Sequence, residues 1–303
     1  MIRRVITVSN RAYLRTENEQ LVIDQGDSRI STVPIEDLGL LEIDGPQVTI
    51  TSTLLGKLSS GNVATIICDA KHHPSALVLP LSGNSLTTAR LRDQISLSEP
   101  KRKRAWKHTV ESKIRNQLIV LKENGLEYQS LKVLASKVAS GDSTNREGAA
   151  SVDYWKRIMP GIRRARFGES PNNLLNYGYA VIRAAVARGI VRSGLHPALG
   201  IHHQNQYNDF CLADDLMEPY RPFVDKRVIS WCQSEEVSDE LTPDVKRHLL
   251  SVLYDDCILD EERSPLWNAI LRTTASFASY TAGKAKMILY PRLCESANIE
   301  PCG

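Results

Sequence analysis

The chain has 303 residues, 42% hydrophobic, 24% charged and 6% aromatic, with a formal net charge of +3. A chain of this length and composition buries a large core, which excludes a disordered protein and a disulfide-stapled miniature, and length alone predicts two domains. It contains no apolar run long enough to span a membrane, no secretory leader at Met1-Ile2-Arg3-Arg4-Val5, and six cysteines (68, 211, 232, 257, 294, 302) without C-x-x-C spacing, so a reduced, cytoplasmic protein is expected.

In chain order, the first 85 residues read as β-rich. Short apolar runs at 3–8, 12–15, 21–24, 30–33, 40–43, 48–50, 63–68 and 76–81 are separated by polar turns. The polar stretch 16–20 reads as a hairpin loop, and 52–58 as one helical interruption. This density of strands predicts a small sandwich or a curled antiparallel sheet. Residues 86–100 are polar and read as a linker. Beyond Pro100 the pattern turns helical. Val110, Ile114, Leu118 and Leu121 form one stripe, and Leu131, Leu134, Ala135 and Val138 the next. Helical periodicity continues through 174–192, 222–233, 243–254 and 266–282. The fold class expected is therefore α+β: a β-rich N-terminal domain over 1–85, a linker over 86–100 and a larger all-α domain over 101–303.

Charge is segregated. From Lys156 to Arg192 there are eight Lys/Arg and one acid, whereas Asp209 to Glu262 holds fifteen acids and five Lys/Arg. Lys101-Arg102-Lys103-Arg104, with Trp106 and Lys107, makes a second basic knot. Such a pattern suits a polyanion held over metal-binding carboxylates, although solvated helix faces give the same counts.

Three segments carry candidate chemistry. Glu147 lies in Thr144-x-x-Glu147, which fits a capping box as well as a ligand position, followed by the small residues Gly148, Ala149 and Ala150. His202-His203 are adjacent, so on a helix they would not share a face, and one can ligate while the other orients or meets solvent. Asp214-Asp215-Leu216-Met217-Glu218 places Asp215 and Glu218, or Asp214 and Glu218, on one helical face, where a cation or Arg221 must offset their repulsion. Two carboxylates and an imidazole without thiolates favour Mg²⁺ or Mn²⁺ over structural zinc.

In combination these motifs resemble the CRISPR-associated spacer integrases, the family numbered one among the Cas proteins, and its type II branch most nearly. The resemblance spans nearly the whole chain. It is carried by Leu41-Glu42-Ile43-Asp44-Gly45-Pro46, Ile66-Ile67-Cys68-Asp69-Ala70-Lys71-His72-His73-Pro74, Lys113-Ile114-Arg115-Asn116-Gln117, Arg146-Glu147-Gly148-Ala149-Ala150, Asn172-Asn173-Leu174-Leu175-Asn176-Tyr177, Gly200-Ile201-His202-His203 and Asp214-Asp215-Leu216-Met217-Glu218-Pro219-Tyr220-Arg221-Pro222. It implies that Glu147, His203 and Glu218 hold the divalent ion and that Asp215 is a supporting acid of the catalytic set. It also implies a metal-dependent endonuclease and transesterase in which a fragment's 3′-hydroxyl attacks a phosphodiester at the edge of the CRISPR repeat. The partners implied are double-stranded DNA, a second copy of the chain through the N-terminal sheet, and the small second Cas subunit, with the type II effector nuclease and an accessory protein joining in fragment selection. Arg163, Arg164 and Arg166, with Lys156 and Arg157, are candidate phosphate contacts. A structure-selective repair nuclease using the same ligands, and a non-catalytic nucleic-acid-binding subunit, are the competing readings.

Overall fold

A computed structural model describes residues 4–81, 83–162, 164, 165, 168, 170–234 and 239–295. The chain opens with strands β1 (Arg4–Val8), β2 (Ala12–Glu17), β3 (Gln20–Gln25), β4 (Ser28–Pro34), β5 (Leu38–Ile43) and β6 (Val48–Ile50), helix α1 (Ser52–Ser60), and strands β7 (Ala64–Cys68) and β8 (Pro74–Val78). Two four-stranded sheets result, in the orders β1-β5-β7-β8 and β4-β3-β2-β6. The β2–β3 hairpin turns through Asn18 and Glu19 alone, both at positive φ, tighter than the five-residue loop expected. The sheets are mixed rather than antiparallel: β1 pairs with β5, β5 with β7 and β2 with β6 in parallel. Helix α1 lies in the long crossover that parallel β5 and β7 require. Leu14, Leu21, Val33, Leu38 and Leu41 meet Leu54 and Leu58 of α1 in one small core.

The larger region contains α2 (Thr87–Ile95), α3 (Glu99–Glu123), α4 (Gln129–Ser136), α5 (Arg146–Ile158), α6 (Asn172–Arg192), α7 (Cys211–Met217), α8 (Arg221–Ser234), α9 (Pro243–Leu250), β9 (Asp256–Leu259), β10 (Glu262–Pro265), α10 (Leu266–Thr281) and β11 (Arg292–Leu293). The α+β class and its order, β-rich then helical, are as expected. Two details differ. The helical region is not all-α, because the 256–265 hairpin and Arg292–Leu293 form a small antiparallel sheet in the order β10-β9-β11. Residues 86–100 also form α2 and the start of α3. Their polar composition conceals this because α2 is fastened by hydrogen bonds: buried Gln94 accepts from the His196 N–H at 2.7 Å and donates to its carbonyl at 3.2 Å.

Helix α6 is the axis of this region. It is buried on most of its circumference, as a helix enclosed on all sides must be. Gly178 lets it approach α8, since a Cβ there would overlap the Val224 side chain.

The β-rich region is joined to the helical core. Strand β5 is buried along its whole length. Leu41 enters the small core, whereas Leu40, with Ala64 and Ile66 of β7, enters the large one. Buried Glu42 accepts from Thr7 at 2.9 Å and from Tyr177 of α6 at 2.7 Å. Asp44 pairs with Lys246 of α9 at 2.6 Å and with His72 at 2.9 Å. Excising 1–85 would strip these partners from α6 and α9, so a deletion cannot isolate a dimerisation role for the N-terminal sheets.

Candidate active site

Glu147 starts from a tight turn before α5. Asp142, Asn145 and Gly141 all have positive φ there. Asp142 accepts from the backbone N–H of Arg146 at 2.8 Å and of Glu147 at 2.9 Å, while the Asn145 side chain accepts from Gly148 at 3.2 Å. Thr144 is thus not the cap, and the capping-box reading of Glu147 fails. Asp142 and Asn145 satisfy the helix start, which leaves the Glu147 carboxylate free to reach the Lys113 ammonium on α3 and to accept from Ser151 at 3.3 Å.

Glu218 begins a single 3₁₀ turn between α7 and α8. It is buried, and its two oxygens meet two cations: Lys113 Nζ at 2.6 Å and Arg221 Nε at 2.7 Å. Burial alone would raise this carboxyl. Arg221 and then Lys113 outweigh that effect and bring it down to about 2. Burial would likewise lower the Lys113 ammonium, but the charges of Glu218 and Glu147 hold it above its ordinary value. The turn is pinned from α3 by Asn116, which donates to the Pro219 carbonyl at 2.8 Å and the Pro291 carbonyl at 3.0 Å and accepts from Leu293 at 3.0 Å.

His203 sits on a loop gathered around one buried carboxylate. Asp215 accepts from the N–H groups of Ile201 at 2.6 Å, His202 at 2.9 Å and His203 at 3.3 Å, and its Oδ1 lies 2.6 Å from His203 Nδ1. The Asp215 hydrogen bond holds the His203 imidazole above its ordinary pKa against partial burial. In the neutral ring this contact keeps the proton on Nδ1 and leaves the Nε2 lone pair for another partner. Gly200 is required where the loop doubles back. A Cβ there would overlap the His203 carbonyl and stand 2.9 Å from Asp215 Oδ2. The adjacent histidines divide their work. The His202 ring stacks on Trp106 of α3 with centroids 4.2 Å apart and planes 2° from parallel, while His203 meets Trp106 edge-on at 5.7 Å.

Glu147, His203 and Glu218 therefore line one open cleft of about 520 Å³, together with Lys113, Trp155 and Tyr179. Asp215 supports it from behind and does not line it. Asp214 is not part of it: Arg183 of α6 draws it away at 2.8 Å. Arg221, expected as the alternative counter-ion of Glu218, does serve as one.

Among the described residues no three His, Cys, Asp or Glu side chains stand close enough together to hold an ion. The place on which both glutamates converge is taken by the Lys113 ammonium. The donor types themselves fit a hard divalent ion, with two carboxylates paired to the Lys113 ammonium and an imidazole in the lining of the same cleft.

Of the candidate phosphate contacts, Arg163 and Arg166 lie outside the described residues. Arg164 stands over the rings of Trp155 at 5.3 Å and Tyr179 at 5.5 Å at the cleft wall. Arg157 is neutralised by Glu127 and Asp153, so the solvated-face reading holds for it. Lys156 is exposed. Trp106, Asp142 and the role of Lys113 were not foreseen. Position in the sequence does not single out Lys113: Lys122, equally close to the apolar stripe of α3, is half-exposed and pairs with exposed Glu295.

A family model, "CRISPR associated protein Cas1", matches residues 5–253. The CRISPR-associated endonuclease Cas1 of Neisseria meningitidis serogroup C is 35% identical over 297 residues, covering 97% of both chains. Among solved structures, a casposase bound to integration product superposes with a TM-score of 0.79 at 19% identity over 94% of this chain and 92% of that one. A chain of a Cas6-RT-Cas1–Cas2 complex superposes at 0.74 and 18% identity over 98% of this chain and 36% of that one. At those identities the two structures show a shared fold. The family match and the Neisseria relative show more: this chain belongs to the Cas1 family of CRISPR-associated proteins.

Proposed function

We infer that this chain is a DNA integrase and endonuclease that joins the 3′-hydroxyls of short DNA fragments to phosphodiesters at the edges of a CRISPR repeat. The observation that carries this reading is the convergence of Glu147, His203 and Glu218 on one open cleft, in a Cas1-family chain whose fold is shared with a casposase bound to integration product. The Neisseria relative, a CRISPR-associated endonuclease by name, supports the cleavage half of the reading.

Glu147, His203 and Glu218 would hold Mg²⁺ or Mn²⁺, which when bound supplies charge stabilisation at the attacking and leaving oxygens. The rest is done by the protein's own groups. Asp215 fixes the His203 tautomer and its direction. Lys113 and Arg221 keep Glu218 ionised. The Trp106–His202 stack holds the histidine loop against α3. Arg164 places positive charge at the cleft wall, where a phosphate backbone of arbitrary sequence can be gripped. Because one bond forms as another of similar energy breaks, no nucleotide hydrolysis is needed.

Double-stranded DNA, a second copy of the chain and the small second Cas subunit are the partners proposed. Two strand junctions need two sites at fixed separation, and the shared fold with a Cas1–Cas2 complex chain supports the second subunit. Further association with a type II effector nuclease and its accessory protein belongs to the same proposal, as does action in the cytoplasm. No helix among the described residues is long and apolar enough to cross a membrane.

The test incubates the chain and second subunit with a repeat-bearing supercoiled plasmid, a 3′-hydroxyl fragment and Mg²⁺, Mn²⁺ or chelator. Metal-dependent joining that is abolished by Glu147→Gln, His203→Ala and Glu218→Gln is expected. Nicking without joining would leave a repair nuclease. Activity that survives all three substitutions would remove the site from the chemistry.

A further inference from the structure

Lys113 is placed as a built feature. Its side chain is 8% exposed, and its ammonium bonds Glu218 at 2.6 Å and Glu147 as well, acids delivered by different elements. Each element is locked relative to the others. Asn116, one turn along α3, ties that helix to the Glu218 turn and to β11. Asp142 and Asn145 fix the start of α5 and thus the direction of Glu147. Arg221 occupies the second oxygen of Glu218. Charge then closes within the cluster, with two carboxylates against two cations. A divalent ion added to this arrangement without displacing Lys113 would leave two uncompensated positive charges in a half-enclosed cleft. The ion and the ammonium therefore compete for the same two carboxylates.

We propose that Lys113 is a resident counter-cation, a positioning residue that holds Glu147 and Glu218 together in the ion-free protein and must surrender them when the divalent ion binds. It thereby sets the affinity of the site below what the carboxylates alone would provide. A site of this kind keeps its two acids assembled without an ion and fills at a higher ion concentration than the carboxylates alone would need. The proposal rests on the reading above that Glu147, His203 and Glu218 hold the ion.

The experiment titrates Mn²⁺ alone into the full chain and follows free Mn²⁺ by electron paramagnetic resonance. Wild type, Lys113→Met, Lys113→Arg and Glu218→Gln are compared. Removal of a charge a few ångströms from the ion is expected to tighten binding roughly tenfold or more in Lys113→Met. Lys113→Arg, which keeps the charge, is expected to stay near wild type. If Lys113→Met does not fold, Lys113→Gln replaces it. A structural role alone would leave affinity unchanged or weaken it on substitution, and either result overturns the proposal. Glu218→Gln reads the site independently: lost binding supports the ion site, and unchanged binding overturns the site reading whatever Lys113→Met does.

Discussion

Asp215→Asn is the most informative single substitution behind the site. The carboxylate is fully buried and accepts four contacts, three from successive backbone N–H groups and one involving His203 Nδ1. An asparagine of the same shape retains one accepting oxygen. In its best orientation that oxygen keeps Ile201 and His202, and the amide faces His203, where the His203 N–H loses its acceptor. One unpaired buried donor, together with exchange of charged for neutral hydrogen bonds, costs about 3 kcal/mol. The same orientation makes Nδ1 the acceptor and moves the proton to Nε2, which removes the lone pair an ion or substrate proton would use. Loss of such an orienting partner lowers metal affinity or activity by about 10–100-fold. Urea unfolding reads the first number and the joining assay the second. An Asp215→Asn protein with wild-type stability and wild-type joining would refute the assignment of Asp215 as the organiser of the histidine loop.

Gly200→Ala is expected to displace the His203 backbone, since the new methyl overlaps its carbonyl, and to lower joining more than stability; equal joining in the two proteins would contradict this. Asn116→Ala leaves the Pro219 and Pro291 carbonyls and the Leu293 N–H without their partner in a buried setting, a loss of about 2–4 kcal/mol measured by denaturant unfolding. Burial holds the Asp225 carboxyl up to about 6 while Tyr179 donates to it. A raised carboxyl is favoured protonated in the fold, so its contribution is greatest below its unfolded value and is lost as pH rises through about 6. Wild type should therefore lose about 2 kcal/mol relative to Asp225→Asn between about pH 4.5 and pH 8 in chemical denaturation; a pH-independent difference would contradict the buried, raised carboxyl.

The fold's order was legible because burial leaves periodicity behind. The stripe Val110, Ile114, Leu121 marked α3, and the runs around Leu14, Leu21 and Leu41 marked strands. Pairing direction was not legible, since an apolar run carries no record of its neighbour, and the parallel β5–β7 pair had to come from the structure. Helix α2 escaped notice because Gln94, not an apolar stripe, fastens it. The β9–β11 sheet escaped because its strands are only two to four residues long, too short to leave a periodic pattern. In the site, residue types and motif order pointed to Glu147, His203 and Glu218. Their meeting in one cleft depends on α3, which precedes all three of their elements in sequence and supplies both Trp106 and Lys113. The capping box was a correct local pattern defeated by a competing one, because Asp142, held at positive φ, takes the Glu147 N–H that Thr144 would have capped. Asp214 and Asp215 are neighbours with opposite fates for the same kind of reason: Arg183 on α6 claims one, and the histidine loop claims the other.

The central claim is that the cleft directs a fragment's 3′-hydroxyl onto a phosphodiester. The most direct measurement follows covalent transfer of an end-labelled fragment into a repeat-bearing plasmid, using fragments that end in a 3′-hydroxyl or in a 3′-deoxy terminus. Label should enter the plasmid at the repeat edges from the hydroxyl fragment alone, and no label should enter with Glu218→Gln. Nicks at those edges with no transferred label, or transfer from the 3′-deoxy fragment equal to that from the hydroxyl fragment, would contradict the account.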